Sequence, residues 1–382
     1  MVVVGAGVFG AWTALQLARR GQSVLLVDAY GPGNARASSG GESRIIRMGY
    51  GADELYTRWA VRSLLRWKEL FAETASSQAL LHETGVLWLG SGDYARLDEM
   101  TAVLTRCNVP FESLSSSAIA QRYPQFSSHD LGVGILETES GVLMGRRAVA
   151  AVVERALSLG VEYRHAQVAP PRAADTRSSI LDAISISDEE RISARQFVFA
   201  CGAWLGKIFP EILGLRIFPS RQEVFFFGVP PGDGQFSARS LPTWLIQGDE
   251  VYGMPDLESR GFKIGFDSHG PRVDPDTQSR VVSAESVERA RAYVAKRFPA
   301  LTNAPIVETR VCQYENTSSG DFLIDRHPEV NNVWFAGGGS GHGFKHGPAV
   351  GEYVAQQILD GGPSETRFAL ASKATEQKRA VY

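Results

Sequence analysis

The amino-acid sequence predicts an α/β (α+β) fold, in which a doubly wound domain is combined with a second domain rich in β-sheet. The chain begins with a strand, a glycine-rich turn and a helix, and it ends with the same elements in the same order. Between these ends, residues 217–266 have the texture of β-strands. With 382 residues, 44% of them hydrophobic, the chain is long enough to bury two cores. The doubly wound domain is therefore predicted to be discontinuous in sequence.

The first thirty residues predict a strand–turn–helix–strand unit. Three valines at residues 2–4 read as a short buried strand, and the glycine turn at residues 5–10 leads into a helix that ends near Arg20. A second apolar run at residues 24–27 ends on Asp28. A glycine motif between a strand and a helix, with an acid after the second strand, is typical of dinucleotide binding.

Each part of this unit has a physical purpose. Gly5 permits the tight turn, Gly7 permits the backbone to approach a pyrophosphate, and Gly10 permits the helix to pack on the strand. The helix N-terminus presents free N–H groups to an anion, and Asp28 is placed to accept hydrogen bonds from a ribose diol. This unit alone does not separate FAD from NAD.

Further elements follow from periodicity and from glycine or proline breaks. Helices are predicted at residues 56–71, 94–107, 147–157, 285–298 and 349–358. Strands are predicted at residues 85–90, 132–136, 161–168, 197–202 and 333–336, with a hairpin at 180–192. The apolar run at 197–202 fits a parallel strand covered on both faces, so the doubly wound domain is expected to resume there.

Composition excludes several classes of protein. The net charge of -3 gives no reason to expect a nucleic acid or an acidic membrane surface as a partner. Three widely spaced cysteines argue against a disulfide framework and fit a reducing compartment. No apolar run approaches the ~20 residues that span a bilayer. A soluble, cytoplasmic protein is therefore expected.

Six motifs occur in an order that resembles the monomeric sarcosine oxidase family, within the D-amino-acid-oxidase-like flavoenzymes. That family's relatives include N-methyltryptophan, pipecolate and fructosyl amino acid oxidases. The resemblance covers roughly residues 1 to 360. The motifs are GAGVFG with the later Asp28, SRIIR at 43–47, CGAW at 201–204, GFKIG at 261–265, RVCQY at 310–314 and SGHGFK at 340–345.

The resemblance implies FAD as the cofactor. Cys312 matches the cysteine that carries FAD through a thioether to the 8α-methyl carbon, although a free cysteine is commonly a small buried hydrophobe. A thiolate is the attacking species, and nearby Arg310 is the cation expected to favour it. The residues implied around FAD are Gly5, Gly7, Val8, Phe9, Gly10, Asp28, Ala29, Ser38, Ser43, Arg44, Ile45, Val168, Cys201, Gly202, Trp204, Cys312, Gly338, Gly341, Gly343, Phe344 and Lys345.

Lys263 is a candidate site residue on sequence pattern alone, independently of the family resemblance. Strand alternation puts Phe262 and Ile264 on one face, and Lys263 shares the other face with Gly261 and Gly265. A lysine flanked by glycines permits the close approach of a flat group, and the alternative is a solvent-facing lysine on an edge strand. The resemblance implies that Lys263 activates O2 by stabilising superoxide.

The resemblance also implies the residues that meet the substrate. Arg47 and Lys345 would bind its carboxylate, for which arginine offers a two-pronged donor set. Arg44 would face the flavin ring. Tyr252 and Tyr314 match active-site tyrosines, and a structural role is the alternative for both.

Three observations refine this assignment. His342 and His346 are four residues apart, but with no third ligand nearby a metal site is rejected. Ser340 lacks the Gly-x-Ser-x-Gly pattern, so an esterase is rejected. Where the family's sarcosine enzymes carry a histidine four residues after the oxygen-activating lysine, this chain has Asp267, with His269 two residues later. An acid there would favour a cationic side chain on the substrate, or it would face solvent.

The predicted FAD domain comprises residues 1–80, 145–216 and 318–382, and the predicted substrate domain comprises residues 81–144 and 217–317. The expected reaction is oxidation of a secondary, N-methyl or cyclic amino acid, with hydride transfer to flavin N5, hydrolysis of the imine and reduction of O2 to H2O2. A monomer is expected by resemblance. The alternatives are a flavin dehydrogenase of the same fold that uses another electron acceptor, an NAD-dependent dehydrogenase and a non-catalytic nucleotide-binding protein.

Overall fold

The computed structural model describes residues 1–74, 79–90, 95–187 and 190–378. The α-helices are α1 (Val8–Arg19), α2 (Glu54–Glu73), α3 (Ala95–Arg106), α4 (Ser116–Arg122), α5 (Gly145–Ser158), α6 (Leu205–Ile208), α7 (Pro210–Leu213), α8 (Ala284–Arg297) and α9 (Gly347–Leu359). The strands are β1 (Val2–Val4), β2 (Leu25–Asp28), β3 (Arg44–Ile46), β4 (Leu81–His82), β5 (Val86–Gly90), β6 (Phe111–Ser115), β7 (Val133–Glu137), β8 (Gly141–Leu143), β9 (Glu162–His165), β10 (Thr176–Arg177), β11 (Ile180–Leu181), β12 (Ala183–Ser185), β13 (Arg191–Ser193), β14 (Phe197–Phe199), β15 (Phe218–Phe227), β16 (Thr243–Gln247), β17 (Val251–Met254), β18 (Phe262–Phe266), β19 (Ile306–Asn316), β20 (Leu323–Arg326) and β21 (Val333–Gly337).

A six-stranded sheet in the order β20-β21-β14-β1-β2-β9 forms the first layer of the fold. All its strand pairs are parallel except β20–β21. Its central strands are buried on both faces, which explains their uninterrupted apolar sequences. Helices α1, α5 and α9 pack together on one face, while apolar residues of α6, α7 and strands β11 and β12 cover the other. Strands β2 and β14 pair in parallel with opposite edges of β1. The sheet therefore grows from β1 first toward one edge and later toward the other.

An eight-stranded sheet forms the second layer, in the order β19-β15-β18-β17-β16-β5-β7-β6. Its strands pair antiparallel except for β16 and β5. Phe262 and Ile264 point into an apolar core shared with helix α8, so the opposite face of β18 is free to carry Lys263. The predicted alternation along this strand is therefore confirmed.

A separate three-stranded sheet has the order β3-β8-β4. Strand β3 contains Arg44 and pairs antiparallel with β8, almost a hundred residues further along the chain. The sequence did not predict β3 as a strand, because three residues carry little periodicity and their partner is remote.

The remaining sequence predictions agree with the structure to within a few residues, with one exception. The predicted hairpin at 180–192 is formed by β12 and β13, with Ile184 opposite Ile192, but it begins later than predicted because Ile180 and Leu181 belong to a separate pair of strands, β10 and β11. The first residue of the helix predicted at 94–107 lies outside the described residues.

The two large sheets draw their strands from different parts of the chain. Every strand of the six-stranded sheet falls within residues 1–80, 145–216 or 318–382, and every strand of the eight-stranded sheet falls within 81–144 or 217–317. The division into two domains stays a prediction, which this distribution favours. Within the described ranges, no helix combines the length and apolar character needed to cross a bilayer.

Candidate active site

A cavity of about 400 Å³ lies between the two large sheets. One wall is formed where β1, β2, β14 and β21 end, the position at which open parallel sheets bind ligands. The opposite wall is formed by side chains of β15, β17, β18 and β19. The predicted site residues that line this cavity are Gly5, Gly7, Val8, Phe9, Asp28, Ala29, Ser38, Ser43, Arg44, Ile45, Arg47, Val168, Cys201, Gly202, Trp204, Tyr252, Lys263, Cys312, Tyr314, Gly341, Gly343, Phe344 and Lys345.

Two residues that the resemblance places around FAD, Gly10 and Gly338, are not among the residues that line the cavity. For Gly10 the close packing of helix on strand is the role that the glycine turn itself predicted. A Cβ atom on Gly10 would lie 1.8 Å from the carbonyl oxygen of Gly5. One on Gly338 would lie 2.6 Å from Cγ2 of Thr317. Both glycines therefore permit close backbone packing and do not themselves reach the cavity.

The first glycine turn presents an open helix N-terminus to the cavity. Gly5 has a φ of +106°, and a Cβ there would lie 2.3 Å from the Ala200 carbonyl oxygen, so only glycine fits. Gly7 precedes α1 and provides no side-chain cap. The N–H of Val8 donates to Ser39 Oγ at 3.0 Å, a contact that the sequence did not predict. This arrangement suits a phosphate group.

Asp28 is held firmly at the end of β2. Its carboxylate accepts hydrogen bonds from the N–H groups of Ala6 (2.7 Å), Tyr30 (2.8 Å) and Gly31 (2.8 Å). A carboxylate has about four acceptor positions, so these bonds orient Asp28 and still leave capacity for a hydroxyl group.

The cation beside Cys312 is Arg44, which corrects the expectation for Arg310. Nη2 of Arg44 lies 3.6 Å from the Cys312 sulfur and also donates to the Ser38 carbonyl oxygen. Arg310 is neutralised instead, because its guanidinium forms ion pairs with Glu42 (3.3 Å) and Glu308. Residues 268 positions apart thus meet, which spacing within RVCQY could not reveal.

Lys263 is buried on a central strand of the eight-stranded sheet, between β15 and β17. Its Nζ donates to the carbonyl oxygen (3.2 Å) and Oγ (3.0 Å) of Ser43. Burial, and secondly the charge of Arg44, lower the pKa of Lys263 to about 7. This position excludes a solvent-facing lysine on an edge strand.

The glycines around Lys263 do not serve the purpose that the sequence indicated. A Cβ on Gly265 would lie 2.6 Å from the ring of Tyr252, and one on Gly261 would lie 2.7 Å from the Phe227 carbonyl oxygen. The flat group that packs on Gly265 is therefore a side chain of the protein itself.

Arg47 and Lys345 converge on Tyr50, a residue that the sequence did not single out. The Arg47 guanidinium lies 4.5 Å from the Tyr50 ring centroid and 4.7 Å from that of Trp88. Nζ of Lys345 lies 5.1 Å from the Tyr50 centroid and donates to its hydroxyl at 2.7 Å. The two cations predicted to act together are thus brought together over one aromatic ring.

Tyr252 and Tyr314 both line the cavity, and burial raises the pKa of each above its usual range. The Tyr314 hydroxyl donates to Asp267 at 3.3 Å. Asp267 and His269 line the same cavity, so the departure from the family motif lies at the site and not in solvent.

Glu315 is a further residue that the sequence did not indicate. It lines the cavity, and burial raises its pKa to about 7. Its Oε1 atom has no hydrogen-bond partner among the described residues. A glutamate next to a predicted tyrosine gives no sequence signal of its own.

The residues considered for a metal site or an esterase make other contacts in the structure. His342 and His346 contact the Tyr50 hydroxyl through ring nitrogens, and no cluster of three metal-ligating side chains occurs in the part of the chain that the structure describes. Ser340 donates to the Gly338 carbonyl oxygen and accepts from the Thr317 N–H, a structural role in its loop.

These residues fit a dinucleotide cofactor of the FAD type. Its nucleotide part suits the N-terminus of α1, the tight turn at Gly5, where a Cβ atom would clash, and the oriented carboxylate of Asp28. The cavity continues from there to Cys312 and Lys263 on the opposite wall, which gives room for a second ring system.

Comparison with known proteins identifies relatives along nearly the whole chain. The chain is 32% identical over 369 residues to the monomeric sarcosine oxidase of Bacillus sp. (strain B-0618), covering 94% of this chain and 92% of that protein. It is 28% identical over 368 residues to the N-methyl-L-tryptophan oxidase of Salmonella heidelberg (strain SL476), covering 95% of each. These matches confirm the family resemblance seen in the motifs.

Solved structures share the fold. The L-proline dehydrogenase of P. horikoshii superimposes with a TM-score of 0.83 at 22% identity, covering 97% of this chain and 96% of that one. The iminodiacetate oxidase of Chelativorans sp. BNC1 gives a TM-score of 0.75 at 23% identity, with 96% and 98% covered. The family model of FAD dependent oxidoreductases (DAO) matches residues 1–357. The chain therefore belongs to the DAO family and is a FAD-dependent oxidoreductase.

Proposed function

We propose that the chain is an oxidase of a secondary, N-methyl or cyclic amino acid. In this reaction the C–N bond of the amine is oxidised to an imine, water hydrolyses the imine, and O2 is reduced to H2O2. The observation that carries the proposal is the convergence of Arg47 and Lys345 on Tyr50 inside the cavity. Two buried cations that face one cavity form a binding site for a carboxylate.

FAD, when bound, supplies the redox chemistry by accepting a hydride equivalent from the amine and passing two electrons to O2. The glycine turn, Asp28 and Arg44 are the residues proposed to hold it. Cys312 is proposed to anchor it covalently, supported by the free thiol and by the contact with Arg44.

The chain's own contribution is orientation and electrostatics. Arg47 is fixed between the rings of Tyr50 and Trp88, so its guanidinium is presented to the substrate in one orientation. Tyr252 and Tyr314 border the same space and restrict the position of the amine. Lys263, on the opposite wall, is proposed to stabilise the negative charge that develops on O2.

The names of the relatives favour small amino acids with an alkylated nitrogen. The curated relatives include monomeric sarcosine oxidases and N-methyl-L-tryptophan oxidases. Asp267 adds a carboxylate to the cavity next to Tyr314, which favours substrates that carry a hydroxyl or cationic group there. The protein is further proposed to act as a monomer in the cytoplasm.

The proposal is tested by mixing the purified protein anaerobically with sarcosine, N-methyl-L-tryptophan and L-proline, and by then admitting air. An oxidase loses its yellow absorbance with at least one such amine and regains it rapidly in air with formation of H2O2. Bleaching followed by very slow recovery in air would select a dehydrogenase with another electron acceptor.

A further inference from the structure

Arg47 and Lys345 are two buried basic side chains without a direct ion-pair partner among the described residues. Both are at most 5% exposed. Among the described residues neither belongs to an ion pair, and their hydrogen-bond acceptors are neutral: the Gly49 carbonyl oxygen for Arg47, and the Tyr50 hydroxyl and His342 carbonyl oxygen for Lys345. Asp267 and Glu137 act on Lys345 only through their electrostatic field, so two positive charges in this desolvated site would be costly.

The cost is relieved by loss of a proton from Lys345. An arginine remains charged in proteins, whereas a lysine readily becomes neutral when buried. Burial, and secondly the charge of Arg47, hold the pKa of Lys345 well below its usual range. Burial therefore favours the neutral form of the Lys345 amine in the absence of a bound anion.

The hydrogen bonds of Lys345 orient this amine. A neutral amine has two N–H donors and one lone pair. Nζ donates to the Tyr50 hydroxyl at 2.7 Å and to the His342 carbonyl oxygen at 2.9 Å, which uses both donors. The third position, occupied by the lone pair, remains for the cavity that Lys345 lines.

We propose that Lys345 is the proton acceptor for the substrate's ammonium group. The inference rests on the proposed function, because it requires a substrate that carries both a carboxylate and an amine. A free amino acid enters as a zwitterion, and the carbon next to its nitrogen cannot release a hydride while the nitrogen lone pair is bound to a proton. One N–H bond of the substrate breaks, its electron pair stays on the substrate nitrogen, and the Lys345 lone pair forms the new N–H bond.

The transfer places both cations of the site around one anion. The substrate becomes a neutral amine with a carboxylate, and the site becomes a pair of cations, Arg47 and protonated Lys345, around that carboxylate. His346 does not compete for the proton, because burial holds its pKa well below the usual range. The titratable and charged groups that face Lys345 are Arg47, Tyr50, Glu137, Asp267, His342 and His346.

Proton uptake on binding of acetate tests the proposal, because acetate has the carboxylate but no ammonium proton to give. Acetate is titrated into the holoenzyme at neutral pH by isothermal calorimetry, in two buffers of different ionisation enthalpy. The proposal predicts uptake of about one proton per bound acetate, so that the Kd rises about tenfold per pH unit above neutrality.

Two lysine variants identify the acceptor. Lys263→Met removes the other buried lysine of the cavity and is expected to retain the uptake, whereas Lys345→Met is expected to lose it. Loss of the uptake in Lys263→Met would assign the proton to Lys263 and overturn the proposal. This control does not depend on acetate still binding to Lys345→Met.

The same titration separates the inference from the proposed function. Tight acetate binding without proton uptake would contradict the inference and leave the carboxylate site intact. Absence of acetate binding in either buffer would contradict the carboxylate site, and with it both the proposed function and the inference.

Discussion

The indole N–H of Trp88 donates a hydrogen bond to the buried carboxylate of Glu137 at 2.7 Å. The same carboxylate accepts from the backbone N–H groups of Met48 (2.6 Å) and Gly49 (3.0 Å). Glu137 therefore fixes both the ring on which Arg47 rests and the backbone that follows Arg47. The proposed carboxylate site of Arg47 and Lys345 therefore depends on a residue ninety positions after Arg47.

Replacement of Glu137 is expected to disturb both folding and binding. Glu137→Gln puts an NH2 group among donors that need acceptors, so the free energy of unfolding should fall by about 2–4 kcal/mol. Acetate or substrate affinity should fall as Arg47 loses its fixed orientation. Denaturant unfolding and calorimetry measure the two effects. Glu139→Gln, an exposed neighbour, is the control and should change neither.

Lys263→Met is expected to slow the reaction of the reduced enzyme with O2 at least a hundredfold, because the buried cation that meets the developing negative charge is lost. Anaerobic reduction by substrate should change far less. Stopped-flow absorbance measures the two half-reactions separately. Lys345→Met should show the opposite pattern, and equal slowing of both half-reactions by Lys263→Met would contradict the assigned role.

Cys312→Ser is expected to release the flavin on acid precipitation, because serine cannot form the thioether. The yellow colour should move from the pellet of the unaltered protein to the supernatant of the variant. Cys201→Ser is the matched control and should keep the yellow pellet. Cys201 lines the same cavity, but its sulfur lies 3.6 Å from the Val4 carbonyl oxygen and not beside Arg44. A yellow pellet from Cys312→Ser would refute covalent attachment at this residue.

Glu315 is expected to make stability depend on pH. Burial raises its pKa from 4.5 to about 7, so the folded state holds this proton more tightly than the unfolded chain does. Its stabilising contribution is complete below the unfolded pKa and is lost as the pH rises through the folded pKa. Between these limits the unaltered protein should lose roughly 3 kcal/mol relative to Glu315→Gln. Unfolding curves across this pH range measure the difference, and a constant gap would contradict the assigned burial.

Local patterns predicted much of the fold and part of the site. The alternation of residues 262–266 placed Lys263 on the cavity face, and the glycine turn placed the helix terminus at the strand ends. Both follow from backbone periodicity over a few residues, which is visible in the sequence.

Contacts between remote segments were not predictable in this way. Tyr50 becomes part of the site only because the fold brings Lys345 and His346 beside it. For the same reason the cation next to Cys312 is Arg44 and not Arg310. Glu137 is the last residue of β7, a strand that reads as ordinary sheet sequence. Side chains of this kind leave no periodic signal, because their partners are set by tertiary packing.

The dependence of flavin reduction on the substrate's carboxylate tests the central claim most directly. Sarcosine and dimethylamine share the secondary amine and N-methyl group, but only sarcosine has a carboxylate for Arg47 and Lys345. Anaerobic mixing followed at the flavin absorbance should show bleaching by sarcosine, or by a larger N-methyl amino acid, at least a thousandfold faster than by the matching carboxylate-free amine. Bleaching at equal rates by the two amines of such a pair would contradict the account.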